Sequence, residues 1–574
     1  MDTSRSCPSN LSSLNYDTAC LLITNQLEEN VDIYTLSSDC YQCDPQLWSS
    51  VPLTSTLSFV TPAVKPLTLY AVGKVSNESI CNQTVLLNQH ELLSWKIGTN
   101  CTFTVEDEGE NAYLALEVAI YGLTALMLLY VLIRSACRTQ WIQNIFSRDA
   151  TIIDMRNDLG NPSSSDDSLL IQSELVPLRR LSSPRIQALD TFRGFTIALM
   201  IFVNYGGGKF WFFEHSAWNG LTIADVVYPW FAWVMGVSLV ISYRSKLRSC
   251  VSRTHVFYVS LRRAAVLIAL GLILNTHNDN DLHTMRFCGV LQRLGVAHLV
   301  VSTLETIFMK KQPSLQYGRW LSFSELVDTW RQWIVILTLM GVHLYFTMFH
   351  PVPGCPTGYI GPGGLGDHGA YPNCTGGAAR YIDSQVFGDS HLYPRGPVKR
   401  VYHTNVPFDP EGILGTLTTC LTVYLGVQAG YIILSYNSTV SRSLRWLFWA
   451  LITGLFAGFL CGWSVEGGFI PVNKQLWSVS YALLTSSFAF LVFTLAFLLI
   501  DHCRWCTGGM FKSAGMNAIL LYTGHILLKH TFPWSWKPSD VTNHGELLSM
   551  NVVGVFAWLL VAWVLERYQI FVSI

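Results

Sequence analysis

The informative side chains are the ionisable and amide groups that fall inside long apolar runs. The stretch 186–220, IQALDTFRGFTIALMIFVNYGGGKFWFFEHSAWNG, carries Asp190 and Arg193 near its start, then Asn204, three glycines and His215. Asp190 and Arg193 are three apart, so on a helix they share a face and suit a salt bridge or a polar cavity wall. Further along, Asp225, Arg262, Arg263, Asn275, Gln292, Arg293, Glu411, Gln428, Asn517 and His525 interrupt other apolar runs. A charge at membrane depth costs several kcal/mol unless it is paired or faces a wet cavity. Helix–helix bridging accounts for any one of these groups, and on spacing alone 186–220 also fits a plain helix ending in a loop. Together they predict a polar cavity inside a helical bundle. Arg286 and Arg293, seven apart in RFCGVLQRLG, are expected on one helix face.

The elements that must position these groups are set by composition. The chain has 574 residues, 50% hydrophobic and 13% charged, with mean hydropathy +0.32. Soluble domains carry about 25% charge, so this is a polytopic membrane protein. The net charge of −1 gives no footprint for nucleic acid. Apolar segments near 112–134, 186–206, 221–243, 257–275, 288–309, 331–350, 411–434, 444–463, 477–500, 511–530 and 549–569 predict an all-α bundle of about 11 transmembrane helices.

A small β-rich domain, residues 1–110, precedes them. It holds Cys7, Cys20, Cys40, Cys43, Cys81 and Cys101 and the sequons at Asn77, Asn82 and Asn100. Clustered cysteines and sequons belong to an oxidising, glycosylating compartment, so this domain is expected in the lumen. Their pairing is not readable from sequence. Polar residues follow Met1, and a signal peptide is expected upstream of this numbering. The remaining divisions are a first transmembrane helix at 111–134, a cytosolic loop at 135–185 and a ten-helix domain at 186–574 with a luminal loop at 351–410. Arginines in 135–185 and 244–256, with Lys310 and Lys311, fall on the predicted cytosolic side, as the positive-inside rule requires. The same count puts the C-terminus in the cytosol. It puts Asn373, with a candidate Cys355–Cys374 bridge, in the lumen, and leaves the Asn437 sequon unused. The 135–185 loop is polar around NPSSSDDS and is expected to be disordered. Its DDSLL only approaches an acidic dileucine sorting signal.

Other motifs carry less. GPGGLGDHG at 361–369 lacks the Lys-Ser/Thr ending of a phosphate loop and reads as a rigid turn. HNDNDLH at 277–283 reads as a short luminal loop. Cys503 and Cys506 form a lone CxxC. No pattern makes a metal case.

Several long strings in order carry a resemblance: ALDTFRG, FVNYGGGK followed by H-x-x-W-N-G, GVLQRLG, PVPGCPTGY-x-GPGG, PNCTGGAA, DPEGILGT, GFIPVNK and GMNAI-x-x-Y-x-x-H. From about Ile186 onward, and more loosely before it, the chain resembles the heparan-alpha-glucosaminide N-acetyltransferase family of lysosomal membranes. The resemblance implies transfer of acetyl from cytosolic acetyl-CoA to the terminal non-reducing glucosamine of heparan sulfate, with His215 as the active histidine and Asn204 as its partner. It also implies a homodimer in membrane lipid. Two departures stand out: Cys288 where the family has proline before GVLQRLG, and Glu214 where a basic residue is expected.

Chemistry extends this. Neither an anionic donor nor an anionic polysaccharide crosses a hydrocarbon core about 30 Å thick. Arg193, Arg244 and Arg262 are candidate contacts for the CoA phosphates. Gln292, Arg293, Asn517 and His525 are candidates to line the polar interior through which the pantetheine arm threads. Arg286, Trp218 and Asn219 are candidates for the acceptor. A histidine suits removal of the amine proton, and the Asn204 amide suits an oxyanion. Direct transfer with His215 as base is favoured over an acetyl-histidine intermediate. The rival class is a multi-pass transporter of a small anionic or sugar substrate, which the internal charges fit as well.

Overall fold

The computed structural model describes residues 7–8, 10–138, 186–277, 281–310 and 323–572. The expectations for most of the 135–185 loop, and for part of HNDNDLH, lie outside the described residues.

The N-terminal domain is a β-sandwich. Strands β1 (Thr18–Asn25), β2 (Val31–Ser37), β3 (Gln46–Val51), β4 (Thr56–Pro62), β5 (Leu67–Gly73), β6 (Ser79–Val85), β7 (Leu92–Ile97) and β8 (Thr102–Asp107) form two four-stranded sheets, ordered β4-β1-β7-β8 and β3-β2-β5-β6. Only β1 and β7 pair in parallel among the named strands. Alternate residues such as Leu67, Leu69 and Ala71 point inward, the period-2 pattern of a sheet with one wet face. They meet Leu21, Ile23 and Trp95 of the other sheet in one core. Cys7–Cys20, Cys40–Cys43 and Cys81–Cys101 are bridged. Helix α1 (Leu114–Arg138) belongs to a separate unit.

The bundle is built from α2 (Gln187–Tyr205), α3 (Ile223–Arg248), α4 (Arg253–Asn275), α5 (Val290–Phe308), α6 (Ser324–Phe349), α7 (Ala378–Phe387), α8 (Pro397–Tyr402), α9 (Ile413–Ser435), α10 (Thr439–Leu460), α11 (Val479–Phe497), α12 (Gly509–Met516), α13 (Ala518–Leu527) and α14 (His544–Arg567). Helices α3 and α9 are the most enclosed; α4, α6 and α10 present apolar outer faces. That is the division expected of central and lipid-facing helices.

The expectation of about 11 spans is corrected. Among the described residues, eight helices are long and apolar enough to cross a membrane: α1, α3, α4, α6, α9, α10, α11 and α14. Helices α2 and α5 have 19 residues each. Their apolar content is diluted by Asp190, Arg193 and Asn204, and by Gln292, Arg293, His298 and Glu305. The segment 511–530 is broken at Asn517 into α12 and α13. These departures concern helices that carry the internal polar groups.

A close crossing fixes α2 against α12. A Cβ on Gly194 would sit 1.7 Å from the Phe511 carbonyl oxygen, and one on Gly515 would sit 1.8 Å from that of Asp190. Only glycine permits this approach.

The two ends of the bundle differ. At one end the loops after α2, α6, α10 and α13 gather under the sandwich. Tyr16 N–H donates to the Val541 carbonyl at 3.1 Å, and Tyr41 N–H to the Tyr402 hydroxyl at 3.3 Å. Cys43, Trp218, Val398, Tyr402 and Phe408 share an apolar cluster. This end holds the Cys355–Cys374 bridge and exposed Asn77, Asn82, Asn100 and Asn373. The GPGGLGDHG stretch is a turn region, with Gly363 and Gly364 at φ 68° and 59°. At the other end, Arg253 caps α5, donating to the Ile307 and Met309 carbonyls at 2.9 and 2.6 Å, as a cation should at a helix C-terminus. Arg244 donates to the Lys310 carbonyl at 2.6 Å, and Asn437 is exposed between α9 and α10.

Candidate active site

The chain leaves α2 at Tyr205 and turns sharply. Gly206, Gly207 and Gly208 have φ of 119°, 59° and 67°, a left-handed run that glycine adopts without a Cβ penalty. His544, at the start of α14, supports this turn. Its Nδ1 lies 2.8 Å from the Gly208 carbonyl oxygen and its Nε2 lies 2.9 Å from Asp17 Oδ1 of the sandwich. Its ring stacks on Phe210 at 4.3 Å. A short turn, Trp211–Phe213, then delivers His215.

His215 meets the N-terminus of α3. Thr222 and Asp225 form a capping box there, in which Asp225 Oδ2 accepts from the Thr222 and Ser216 amides at 3.1 and 3.2 Å. Its other oxygen, Oδ1, lies 2.9 Å from His215 Nδ1. The capping box thus holds the carboxylate at a fixed angle to the imidazole. Asp225 is fully buried, whereas the His215 side chain is 39% exposed. Nδ1–H donation to Asp225 leaves Nε2 as the free basic nitrogen.

A third group completes the cluster. Lys474 Nζ lies 2.8 Å from His215 Nδ1 and 3.4 Å from Asp225 Oδ1. The GFIPVNK loop is held by pairing Asn219 with Asn473, whose Nδ2 donates to Asn219 Oδ1 at 3.1 Å. H-x-x-W-N-G and GFIPVNK are therefore two sides of one site. Desolvation by the surrounding loops and then the Lys474 ammonium push the partly exposed His215 imidazole below its usual range, against the pull of Asp225. Burial also lowers Lys474, against Asp225 and Glu411.

Beside this triad lies a buried ion cluster. Arg286 Nε and Nη2 donate to Asp409 at 2.6 and 2.7 Å, and Nη2 also meets Glu411. Arg293 donates to the Pro410 and Gly412 carbonyls at 2.8 and 3.1 Å. Burial pushes Glu411 up, but Arg286, Arg293 and Lys474 together hold it below the usual carboxylate range. Arg286 precedes α5 rather than lying on it, so the shared helix face is corrected: Arg286 and Arg293 converge because both bind residues 409–412.

The other candidates separate into groups. Asn204, in the last turn of α2, contacts His525 rather than His215: Asn204 Nδ2 lies 2.9 Å from His525 Nε2, and His525 Nδ1 lies 3.1 Å from the Leu521 carbonyl oxygen. Trp218 is 1% exposed, packs on Phe408 and donates to the Ile360 carbonyl at 3.0 Å. Gln292 is buried, and among the described residues neither of its amide atoms has a hydrogen-bond partner. Asn517 holds the segment after α14, donating to the Ile570 carbonyl at 3.2 Å and accepting from the Val572 amide at 2.9 Å. Arg193 donates to Asp190 and to the Gly515 carbonyl, each at 3.2 Å, and to Ser238. Arg244 is buried and Arg262 is exposed. The Cys288 carbonyl accepts from Asn275 at 2.8 Å. Glu214 pairs with Arg400 at 3.1 Å.

No family model matches the chain. Full-length relatives do. A heparan-alpha-glucosaminide N-acetyltransferase from Mus musculus is 38% identical over 587 residues, covering 97% of this chain and 89% of the relative. The protein of the same name from Homo sapiens is 38% identical over 593 residues, covering 97% and 88%. The chain belongs to the heparan-alpha-glucosaminide N-acetyltransferase family. It is an acetyltransferase, and membership extends through the sandwich as well as the bundle, since the match spans nearly the whole chain.

Within this acetyltransferase, sequence reasoning did not assign two residues of the candidate site. Asp225 was visible as a carboxylate in the first turn of an apolar helix, ten residues after His215. Lys474 closes the GFIPVNK string, but its role carried no signal, because only the fold brings it across from a loop 259 residues away.

Proposed function

We propose that the protein transfers acetyl from acetyl-CoA, supplied on the cytosolic side of a lysosomal membrane, to the terminal non-reducing glucosamine amine of heparan sulfate. The curated relatives are named for this acceptor and this transfer. The observation that carries the reading is the 2.9 Å contact between His215 Nδ1 and Asp225 Oδ1. It orients an imidazole whose Nε2 is left to act as base in a partly exposed loop.

In the proposed reaction the ammonium form first gives up one proton to water, and the neutral amine nitrogen then attacks the thioester carbonyl. The new C–N bond forms and the C–S bond breaks. His215 Nε2 accepts the amine proton and returns it to the departing thiolate. Asp225 steadies the imidazolium between those steps. Asn204, which has one amide N–H directed at His525, has a second N–H to offer the oxyanion. Arg193, Arg244 and Arg262 are proposed for the CoA phosphates, with Gln292, Arg293, Asn517 and His525 along the route of the pantetheine arm. Arg286 and Asn219 are proposed to shape the acceptor end. Glycans at Asn77, Asn82, Asn100 and Asn373, a luminal sandwich and a homodimer complete the proposal.

Sealed vesicles test it. Labelled acetyl-CoA is supplied to one face and glucosamine to the other. Labelled N-acetylglucosamine should form only with acetyl-CoA on the face that carries Arg253 and Asn437. Substrate uptake without acetyl consumption would replace the reading with a transporter.

A further inference from the structure

Two groups compete for one nitrogen at the site. Asp225 Oδ1 at 2.9 Å from His215 Nδ1 requires a proton on Nδ1. Lys474 Nζ at 2.8 Å from the same atom requires a lone pair there if the lysine is an ammonium. Nδ1 cannot serve both at once. In one arrangement Lys474 donates to Nδ1, the ring carries its proton on Nε2, and Nε2 is no base. In the other, Nδ1–H donates to Asp225, Lys474 moves onto Asp225 Oδ1, now 3.4 Å away, and Nε2 has its lone pair free. A short movement of one ammonium separates the two.

The surroundings keep that ammonium in place. The Lys474 side chain is 14% exposed and Asp225 is fully buried. The charged groups facing His215 are Asp225 from α3, Lys474 from the loop after α10, Glu411 before α9, and Glu214 on its own loop, which Arg400 of α8 pairs. Lys474 is the cation among these that reaches the imidazole directly. Gly220 N–H donates to the Val472 carbonyl at 3.0 Å, so the two loops are registered by backbone as well as by side chain.

We propose that Lys474 is a positioning residue for acetyl transfer: anchored on Asp225, its ammonium selects the His215 tautomer and keeps the ring unprotonated in an acidic compartment. The inference rests on the reading of His215 as the base. A base must be neutral to act, and an ammonium beside it opposes its protonation. Removing that charge makes the ring easier to protonate, so the acid limb of the rate profile must move to higher pH. A merely structural lysine would lower the rate equally at every pH.

The test compares purified full-length wild type, Lys474→Met, Lys474→Gln and Lys474→Arg across acid to neutral pH, following acetyl transfer to glucosamine. Lys474→Met and Lys474→Gln should move the acid limb of kcat/KM upward, losing roughly tenfold more rate at the acid end than at neutral pH, the scale of one close charge. Acetyl-CoA affinity should stay unchanged. Lys474→Arg should leave the limb where wild type has it, and it remains informative if the neutral variants do not fold. A uniform loss in the neutral variants, an unmoved limb, or a moved limb in Lys474→Arg would each overturn the inference. His215→Ala separates the two levels: full activity there removes the functional reading. An inactive His215→Ala with an unmoved limb in the lysine variants removes this inference alone.

Discussion

Asn204 Nδ2 sits 2.9 Å from His525 Nε2, joining the end of α2 to α13. His525 Nδ1–H is committed to the Leu521 carbonyl, so Nε2 must accept and the Asn204 amide must donate. The orientation of Asn204 is therefore set by a histidine 321 residues away. If Asn204 holds the oxyanion, Asn204→Ala should lower kcat by about 10²–10³, the usual loss of one such donor. His525→Ala should lower it by less. The double variant should be no worse than Asn204→Ala, a non-additivity that steady-state kinetics on the four proteins would read.

His215→Ala should abolish transfer and leave acetyl-CoA binding nearly intact, as measured by calorimetry on the purified protein. Asp225→Asn retains the shape but offers the ring a weaker partner. It should cost about 10²–10⁴ in kcat, the range over which an oriented base contributes.

The pH profile of wild type has a defined sign. Desolvation by the neighbouring loops and Lys474 place the His215 imidazole below its usual range, so the neutral, basic form persists into acid. Transfer should fall only below the pH at which a free imidazole protonates, near 6.5. The acid limb of kcat/KM at saturating acetyl-CoA checks this. A half-maximal point at or above the free value would contradict it.

Arg286 is a strut whatever else it touches. It faces a fully buried Asp409 and a largely buried Glu411. Arg286→Ala would strand both carboxylates, and removing one partner of a buried pair costs about 3–5 kcal/mol. Thermal unfolding in detergent should show a clear drop. An acceptor-binding role alone would raise KM and leave Tm in place.

The crossing of α2 and α12 leaves no room for a side chain. Gly194→Leu should destabilise the bundle by more than about 3 kcal/mol, as overpacking against backbone does. Its effect should exceed that of Ala198→Leu on the same helix, which meets side chains that can shift. Unfolding midpoints of the two variants would rank them.

Much of this was legible from local pattern. Asp190 and Arg193 pair as their spacing of three demands. Cys355 bonds Cys374 as the candidate bridge had it, and the β-rich reading of residues 1–110 is met by two four-stranded sheets. The helix count was not legible in the same way. Asp190, Gln292, Arg293 and Glu305 dilute the apolar content of α2 and α5, and a break at Asn517 divides 511–530, so these segments fall short of the length and apolarity by which the eight are counted. Trp218 was a candidate for the acceptor, yet Ile360 and Phe408 of the loop at 351–410 cover it. Lys474 could not be found from spacing, because the register of two distant loops, set by Asn219 and Asn473, decides where it lies.

His544 grips the glycine turn with one nitrogen and the sandwich with the other. The sandwich, through Asp17 just ahead of β1, thus buttresses the loop that carries His215. Inherited or engineered changes around Asp17 would mimic an active-site lesion in an activity assay. Calorimetry would instead reveal a scaffold that has lost its grip.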